Sequence, residues 1–221
     1  MKDKMNKIHH IDCLEFMHGV PDNYFDLVMT DIPYNEVNRE SNGLRQLDKE
    51  GADVGNFDIS ELSHHLCRVT RGSAIVFCGM KQLSHITEIM QNNGLSTRTI
   101  VWEKNNPSPM NAQHLFVSGI EVAVYGRKPK GYYDGEYSNT VFKENAGESK
   151  VHPTQKPIKL WERLVRKVAT KGHKVFDPFM GSGTTAVVCS SLGIDWCGCE
   201  LEADYVAIAN KRLEAVQGSL F

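Results

Sequence analysis

Long apolar runs are missing from this chain. No uninterrupted stretch approaches the ~20 residues that cross a bilayer as a helix, and Met1-Lys2-Asp3-Lys4-Met5-Asn6-Lys7 lacks the apolar region of a secretory leader. The expectation is a cytoplasmic protein with no membrane partner. Paired cysteines are missing too. Cys13, Cys67, Cys78, Cys189, Cys197 and Cys199 show no Cys-x-x-Cys spacing, and most lie within apolar segments, as reduced, buried thiols do. Cys197-Gly198-Cys199 alternates along an expected strand, so no metal site is expected there. A large net charge is also absent: the formal value is −2, which argues against a generic polyanion binder. The chain has no internal repeat and no low-complexity segment.

What remains is 221 residues, enough for one domain with a full core. The small net charge hides an uneven distribution. Residues 127–174 hold twelve Lys or Arg against five Asp or Glu, whereas residues 1–66 hold six against thirteen. Part of the surface is dressed for phosphate, although a solvated face explains charge alone equally well.

The most informative stretch is Phe176-Asp177-Pro178-Phe179-Met180-Gly181-Ser182-Gly183-Thr184-Thr185. An apolar strand ends at a carboxylate, a glycine turn follows, and a helix begins near Ser182 and Thr184. Glycines let backbone approach a ligand closely, and helix N-terminal amides point at it. A triphosphate loop would need a lysine after the last glycine, and a dinucleotide fingerprint a third glycine; neither is present. The bland alternative is an ordinary strand-to-helix turn.

In order, the chain predicts a strand at 7–11, a helix around Leu14, Phe16 and Met17, and a buried strand from Phe25 to Thr30. Residues 35–56 read as a long mobile loop. A helix at 59–69, a strand at 73–78, a helix at 81–91 and strands at 97–102 and 120–125 follow. Residues 126–151 are basic, aromatic and turn-rich, more an interaction surface than core. Pro157 suits the first turn of a helix ending near Gly172. The glycine loop, a strand at 194–199 and a helix at 203–216 complete the chain. Alternating strands and helices argue an α/β fold, a mostly parallel sheet with helices on both faces.

Asp31-Ile32-Pro33-Tyr34 closes the 25–30 strand, where polar groups reach the ligand rim of an open α/β sheet. Its parts suit a planar heterocyclic amine. The Asp31 carboxylate and the Ile32 carbonyl each accept one N–H, Pro33 restricts Ile32 to extended angles, and Tyr34 offers a stacking face. The alternative is a strand-end turn with Asp31 as a cap. His152-Pro153-Thr154-Gln155-Lys156-Pro157 stands before a helix, where Lys156 and free amides suit a carboxylate; a solvated lysine in a Pro-flanked linker is the competing reading. Glu200, seventeen residues after Gly183, has the place of a ribose-binding acid. Asp12 suits an adenine amino group or a helix cap.

These three segments, in this order and spanning nearly the whole chain, resemble the motifs of the β group of amino DNA methyltransferases. The resemblance implies a circularly permuted S-adenosylmethionine-dependent methyltransferase fold, with a mostly parallel seven-stranded sheet containing one reversed strand. The single domain 1–221 would comprise a catalytic half (1–104), a short target-recognition segment (105–151) and a cofactor half (152–221). It further implies S-adenosylmethionine held by Asp177, Phe179, Gly181, Ser182, Gly183 and Thr184. His152, Thr154 and Lys156 would lie at its methionine end, Glu200 at the ribose, and Asp12 with Cys13 at the adenine. The family flips its target base from duplex DNA. Asp rather than Ser at the first motif position points to adenine N6, with cytosine N4 as the alternative. Ile32 departs from the proline commonest there, a change tolerated by a role that uses only its carbonyl.

Lys128, Lys130, Lys143 and Lys150 are the candidate phosphate contacts. Tyr132, Tyr133 and Tyr137 are candidate base or backbone neighbours, with local packing as the rival reading. The short recognition segment raises the expectation of a homodimer or of a restriction or specificity partner. A non-catalytic DNA-binding subunit of the same fold is the rival of a different class, and RNA or a protein glutamine amide are further substrates compatible with the chemistry.

Overall fold

Runs of apolar residues become central strands when both faces of a sheet are covered, and most of the strands here have that character. The computed structural model describes residues 1–34, 57–109, 113–146 and 155–218. Its eight strands are β1 (Lys7–His10), β2 (Phe25–Asp31), β3 (Thr70–Cys78), β4 (Ser96–Lys104), β5 (Ile120–Arg127), β6 (Val141–Glu144), β7 (Lys174–Asp177) and β8 (Asp195–Glu200). The helices are α1 (Cys13–His18), α2 (Ile59–Val69), α3 (Met80–Asn92), α4 (Ile158–Val168), α5 (Thr184–Leu192) and α6 (Ala203–Gly218).

All eight strands form one sheet in the order β1-β8-β7-β2-β3-β5-β4-β6. β5 is antiparallel to both β3 and β4, and every other neighbouring pair is parallel. The reversed strand is therefore β5. The glycine loop follows β7, between β8 and β2, so a segment late in the sequence lies well inside the sheet.

The period-2 alternation of a strand divides the core in two. On β3, Ile75 and Phe77 face a layer containing Leu160, Trp161, Leu164 and Val165 of α4; Ala74, Val76 and Cys78 face one containing Leu62 and Leu66 of α2 and Ile86 of α3. All six cysteines are buried, and no disulfide joins them. Among the described residues no helix is long and apolar enough to cross a membrane.

The expected seven strands become eight. β6 adds to the sheet edge by parallel pairing with β4, Trp102 opposite Phe142, and the Trp102 indole N–H donates to the Glu144 carbonyl at 3.0 Å. In this four-residue strand only Phe142 is buried, so basic and turn-forming neighbours mask the pattern.

Because β5 runs backwards, its first residues lie at the same rim as the last residues of the parallel strands. Asp31 pairs with Phe77, Phe77 with Ala123, and Asp177 with Gly198. That rim carries the site.

Candidate active site

The segment after β2 is held from two sides. The Ile32 N–H donates to the Phe77 carbonyl at 3.1 Å, extending the β2–β3 ladder past Asp31. The Gln82 amide on the first turn of α3 donates to the Pro33 carbonyl at 3.0 Å and accepts from the Gly79 N–H at 2.8 Å. Gln82 thus ties the motif to α3, a contact the sequence does not announce.

Asp31 is the centre of a buried charge network. The Tyr34 hydroxyl donates to its Oδ1 at 2.7 Å, and the Lys156 ammonium pairs with its Oδ2. Lys156 also meets Glu121 Oε2 at 3.0 Å and the Tyr34 hydroxyl at 3.3 Å. Lys104 pairs with Glu121 Oε1 at 2.7 Å. Burial raises the Asp31 carboxyl, Glu121 adds to the push, and Lys156 and the Tyr34 hydrogen bond oppose it. Burial also works against the Lys156 ammonium, but Asp31 and Glu121 outweigh it, so Lys156 stays charged. Burial likewise works against Glu121, yet Lys156 and Lys104 hold its carboxyl down at about 2. Tyr34 is raised well above its usual range by burial and by Asp31 and Glu121, which keeps it a donor.

Lys156 therefore sits against the Asp31 carboxylate, whereas the resemblance placed it at the methionine end of the cofactor. Glu121 and Lys104 were not anticipated. An acid heading the apolar run Ile120-Glu121-Val122-Ala123-Val124 is a visible signal. On a parallel strand, however, that position lies on the edge away from the ligand; only the reversal of β5 brings it to the rim.

On the neighbouring strand, Asp177 is buried beneath the glycine loop. It accepts from the Phe179 N–H at 3.1 Å and from the Thr185 hydroxyl, which the Trp161 indole N–H caps at 2.8 Å. Burial pushes Asp177 up to about 7 against these hydrogen bonds. Gly181 and Gly183 have φ of 52° and 83°, the left-handed region natural to glycine. A Cβ on Gly183 would stand 2.8 Å from that of Ala209 on α6, so this glycine also permits close helix packing. A Cβ on Gly181 would meet nothing nearer than 4.0 Å, which leaves open space on its side of the loop.

The Ser182 hydroxyl accepts from Arg212 at 2.9 Å, so its side chain turns toward α6. Thr184 opens α5 and Gly183 caps it. Glu200 accepts from the Gly181 N–H at 2.7 Å and the Glu202 N–H at 2.9 Å. The Phe179 ring lies 5.5 Å from that of Phe57, a neighbour absent from the sequence expectations. Asp12 caps α1, accepting from Leu14 and Glu15 N–H at 2.8 and 3.0 Å, and Cys13 is buried beside it. β1 pairs with β8, His10 opposite Glu200, which brings Asp12 and Glu200 to the same rim.

His152, Thr154, Lys150 and the 35–56 loop lie outside the described residues. Lys128 and Lys130 lie away from the rim. Arg127 pairs with Ser73 near the start of β3, so Lys128 follows at the edge opposite the rim, roughly 16 Å of strand from Asp31. Its ammonium donates to Asn23 Oδ1 at 2.7 Å. Lys130 follows it there, because the reversed β5 carries its C-terminal end away from the rim. Lys143 stands on β6 toward the rim but is paired with Glu103 at 3.0 Å. Tyr132 packs edge-on against His173 and Tyr133 under Lys167, both local contacts, while Tyr137 is exposed. Near the head of β5 the rim instead exposes Leu115, Phe116 and Val117.

A carboxylate closing β2, a glycine loop on the adjacent β7 and a sheet with one reversed strand define an S-adenosylmethionine-dependent methyltransferase. Residues 25–211 match the model of the N6_N4_Mtase DNA methylase family, and the chain belongs to that family. It is 26% identical to Type II methyltransferase M2.DpnII of Streptococcus pneumoniae, over 97% of this chain and 91% of the relative. It is 27% identical to Type II methyltransferase M.HinfI of Haemophilus influenzae, over 98% and 70%. The M1.HpyAVI–SAM complex superposes with a TM-score of 0.73 at 27% identity, covering 94% of this chain and 99% of that one. The cytosine-N4-specific PvuII DNA methyltransferase shares the fold, with a TM-score of 0.71 at 18% identity over 96% and 89%. The protein is a DNA methyltransferase whose cofactor is S-adenosylmethionine.

Proposed function

We propose that the protein methylates adenine N6 of a base flipped out of duplex DNA, with Asp31, Ile32, Pro33 and Tyr34 as the catalytic segment. The observation that carries this reading is the half-buried Asp31 carboxylate at the end of β2, one strand from the glycine loop on β7. An exocyclic amine conjugated to its ring is a weak nucleophile. Asp31 and the Ile32 carbonyl each accept one N–H, which draws the nitrogen toward tetrahedral geometry and frees its lone pair. The proton that the nitrogen sheds passes to Asp31. An aspartate rather than a serine at this position favours adenine over cytosine.

S-adenosylmethionine, when bound, supplies the electrophilic methyl group. The open side of Gly181 and the amides that start α5 suit its close approach. Ser182 would contribute through its backbone, since Arg212 holds its hydroxyl. Glu200 has lone pairs left for ribose hydroxyls beyond the two amides it accepts. Asp177, Phe179, Gly183, Thr184, Asp12 and Cys13 line the same rim, with His152 and Thr154 assigned by motif. DNA approaches from this rim, where Leu115, Phe116 and Val117 are exposed, and a second copy or a specificity partner completes recognition.

The test incubates the protein with methyl-labelled S-adenosylmethionine and unmethylated genomic DNA, then identifies the labelled nucleoside. N6-methyldeoxyadenosine is expected; N4-methyldeoxycytidine without it would transfer the assignment to cytosine.

A further inference from the structure

Both oxygens of Asp31 are occupied in this structure, Oδ1 by the Tyr34 hydroxyl and Oδ2 by the Lys156 ammonium. The reading above, on which this inference rests, needs one of them for the incoming amine. The ammonium has a second seat, because Glu121 Oε2 lies 3.0 Å from Lys156 Nζ. Lys104 anchors that seat through Glu121 Oε1 at 2.7 Å. Among the described residues, Asp177 on β7 and Tyr34 from its own loop complete the set of charged or titratable groups around Asp31. Asp31, Glu121, Lys156 and Lys104 balance to zero charge, so the ammonium can pass from one carboxylate to the other without leaving a net buried charge.

We propose that Lys156 and Glu121 are positioning residues for methyl transfer: Lys156 holds the empty Asp31 carboxylate charged and in place, then withdraws onto Glu121 as the target amine takes Oδ2. Lys156 acts as a stand-in donor for the substrate. Without it, Asp31 would sit buried beside another carboxylate and take up a proton, which would block it as an acceptor for both N–H and proton. Without the charge on Glu121, the ammonium has no equivalent seat and competes with the amine.

Protein labelled with 13C at aspartate carboxyls reads Asp31 without any substrate, its signal assigned by loss in Asp31→Asn. Lys156→Met should raise the Asp31 midpoint, and Glu121→Gln should lower it. In methyl-transfer assays the acid limb for Lys156→Met should move up with that midpoint, costing about tenfold for each pH unit of displacement below both midpoints. Activity should recover as pH rises. Glu121→Gln should behave oppositely to its titration: kcat/KM for DNA falls although Asp31 is more fully ionised, with cofactor affinity by calorimetry unchanged. An unmoved Asp31 midpoint in Lys156→Met, or full turnover in Glu121→Gln, overturns the proposal. If Lys156→Met does not fold, Lys156→Met/Glu121→Gln removes one charge of each sign, and its midpoint should still exceed that of the wild type. Titrations as expected with no label entering DNA would uphold the Lys156 and Glu121 geometry and overturn the amine-methylation reading instead.

Discussion

Asp31 and Asp177 end adjacent parallel strands, Asp31 half-buried and Asp177 fully buried, and the protein surrounds them differently. Asp31 receives an ammonium and a phenol and belongs to a network with a second carboxylate and a second lysine. Asp177 receives one amide and one hydroxyl, with no cation in contact among the described residues, and burial lifts it to about 7. The lesson is that position at a strand end fixes where a carboxylate points, while neighbours on other strands fix its charge. Burial raises both carboxyls, but at Asp31 a cation and a phenol oppose the rise, whereas under the glycine loop Asp177 is opposed by hydrogen bonds alone.

The largest effect should come from removing the first member of that pair. Asp31→Ala should cost roughly a hundredfold to a thousandfold in turnover, the usual loss when an oriented group at a reacting centre is deleted. Calorimetry should show cofactor affinity largely retained, because Asp31 acts on the base. Next is Gly183→Val, which brings a side chain against Ala209 at a left-handed φ of 83°. Crowding and backbone strain together should cost on the order of 3 kcal/mol in thermal or denaturant unfolding, with weaker cofactor binding. Gly181→Ala, at a φ of 52° with open space around it, should show only the strain, about 1–2 kcal/mol.

The third prediction sharpens the contrast through pH. The folded protein holds the Asp177 proton up to about pH 7, whereas an unfolded aspartate releases it near about 4. Asp177 therefore contributes stability that is complete below the lower value and lost as pH rises through the higher. Asp177→Asn, which carries a permanent donor, should flatten the fall of Tm between these limits; an unchanged slope would mean the carboxyl is already ionised throughout. Smallest of all, Lys130→Ala should leave DNA affinity unchanged in a filter-binding titration, since that residue lies at the edge away from both aspartates.

Much of this was legible in the sequence because burial on both faces leaves compact apolar runs, as at Phe25 to Thr30 and Ser73 to Cys78. The Asp31 and glycine-loop segments stood at strand ends, where local order suffices to place them. Glu121 was not legible: its role depends on β5 running against its neighbours, a property of the sheet and not of the strand. The places of Lys128 and Lys130 were hidden for the same reason, since the reversal carries them away from the rim. Lys156 belonged to the site, but its partner lies on a strand 125 residues earlier, and nothing local names it. β6 was lost because one buried phenylalanine is too little pattern to recognise.

The six buried thiols have a practical consequence. Burial pushes Cys13 to about 12, Cys67 to about 11 and Cys197 to about 12, and Cys189 and Cys199 higher still. Alkylating reagents attack the thiolate, so these five thiols are chemically silent at neutral pH while the chain is folded, and Cys78 is shielded by burial. Maleimide consumption by the wild-type protein then becomes a clock for the opening of its two cores, readable without any substrate. A cysteine introduced at Lys130 would be the handle that reacts first.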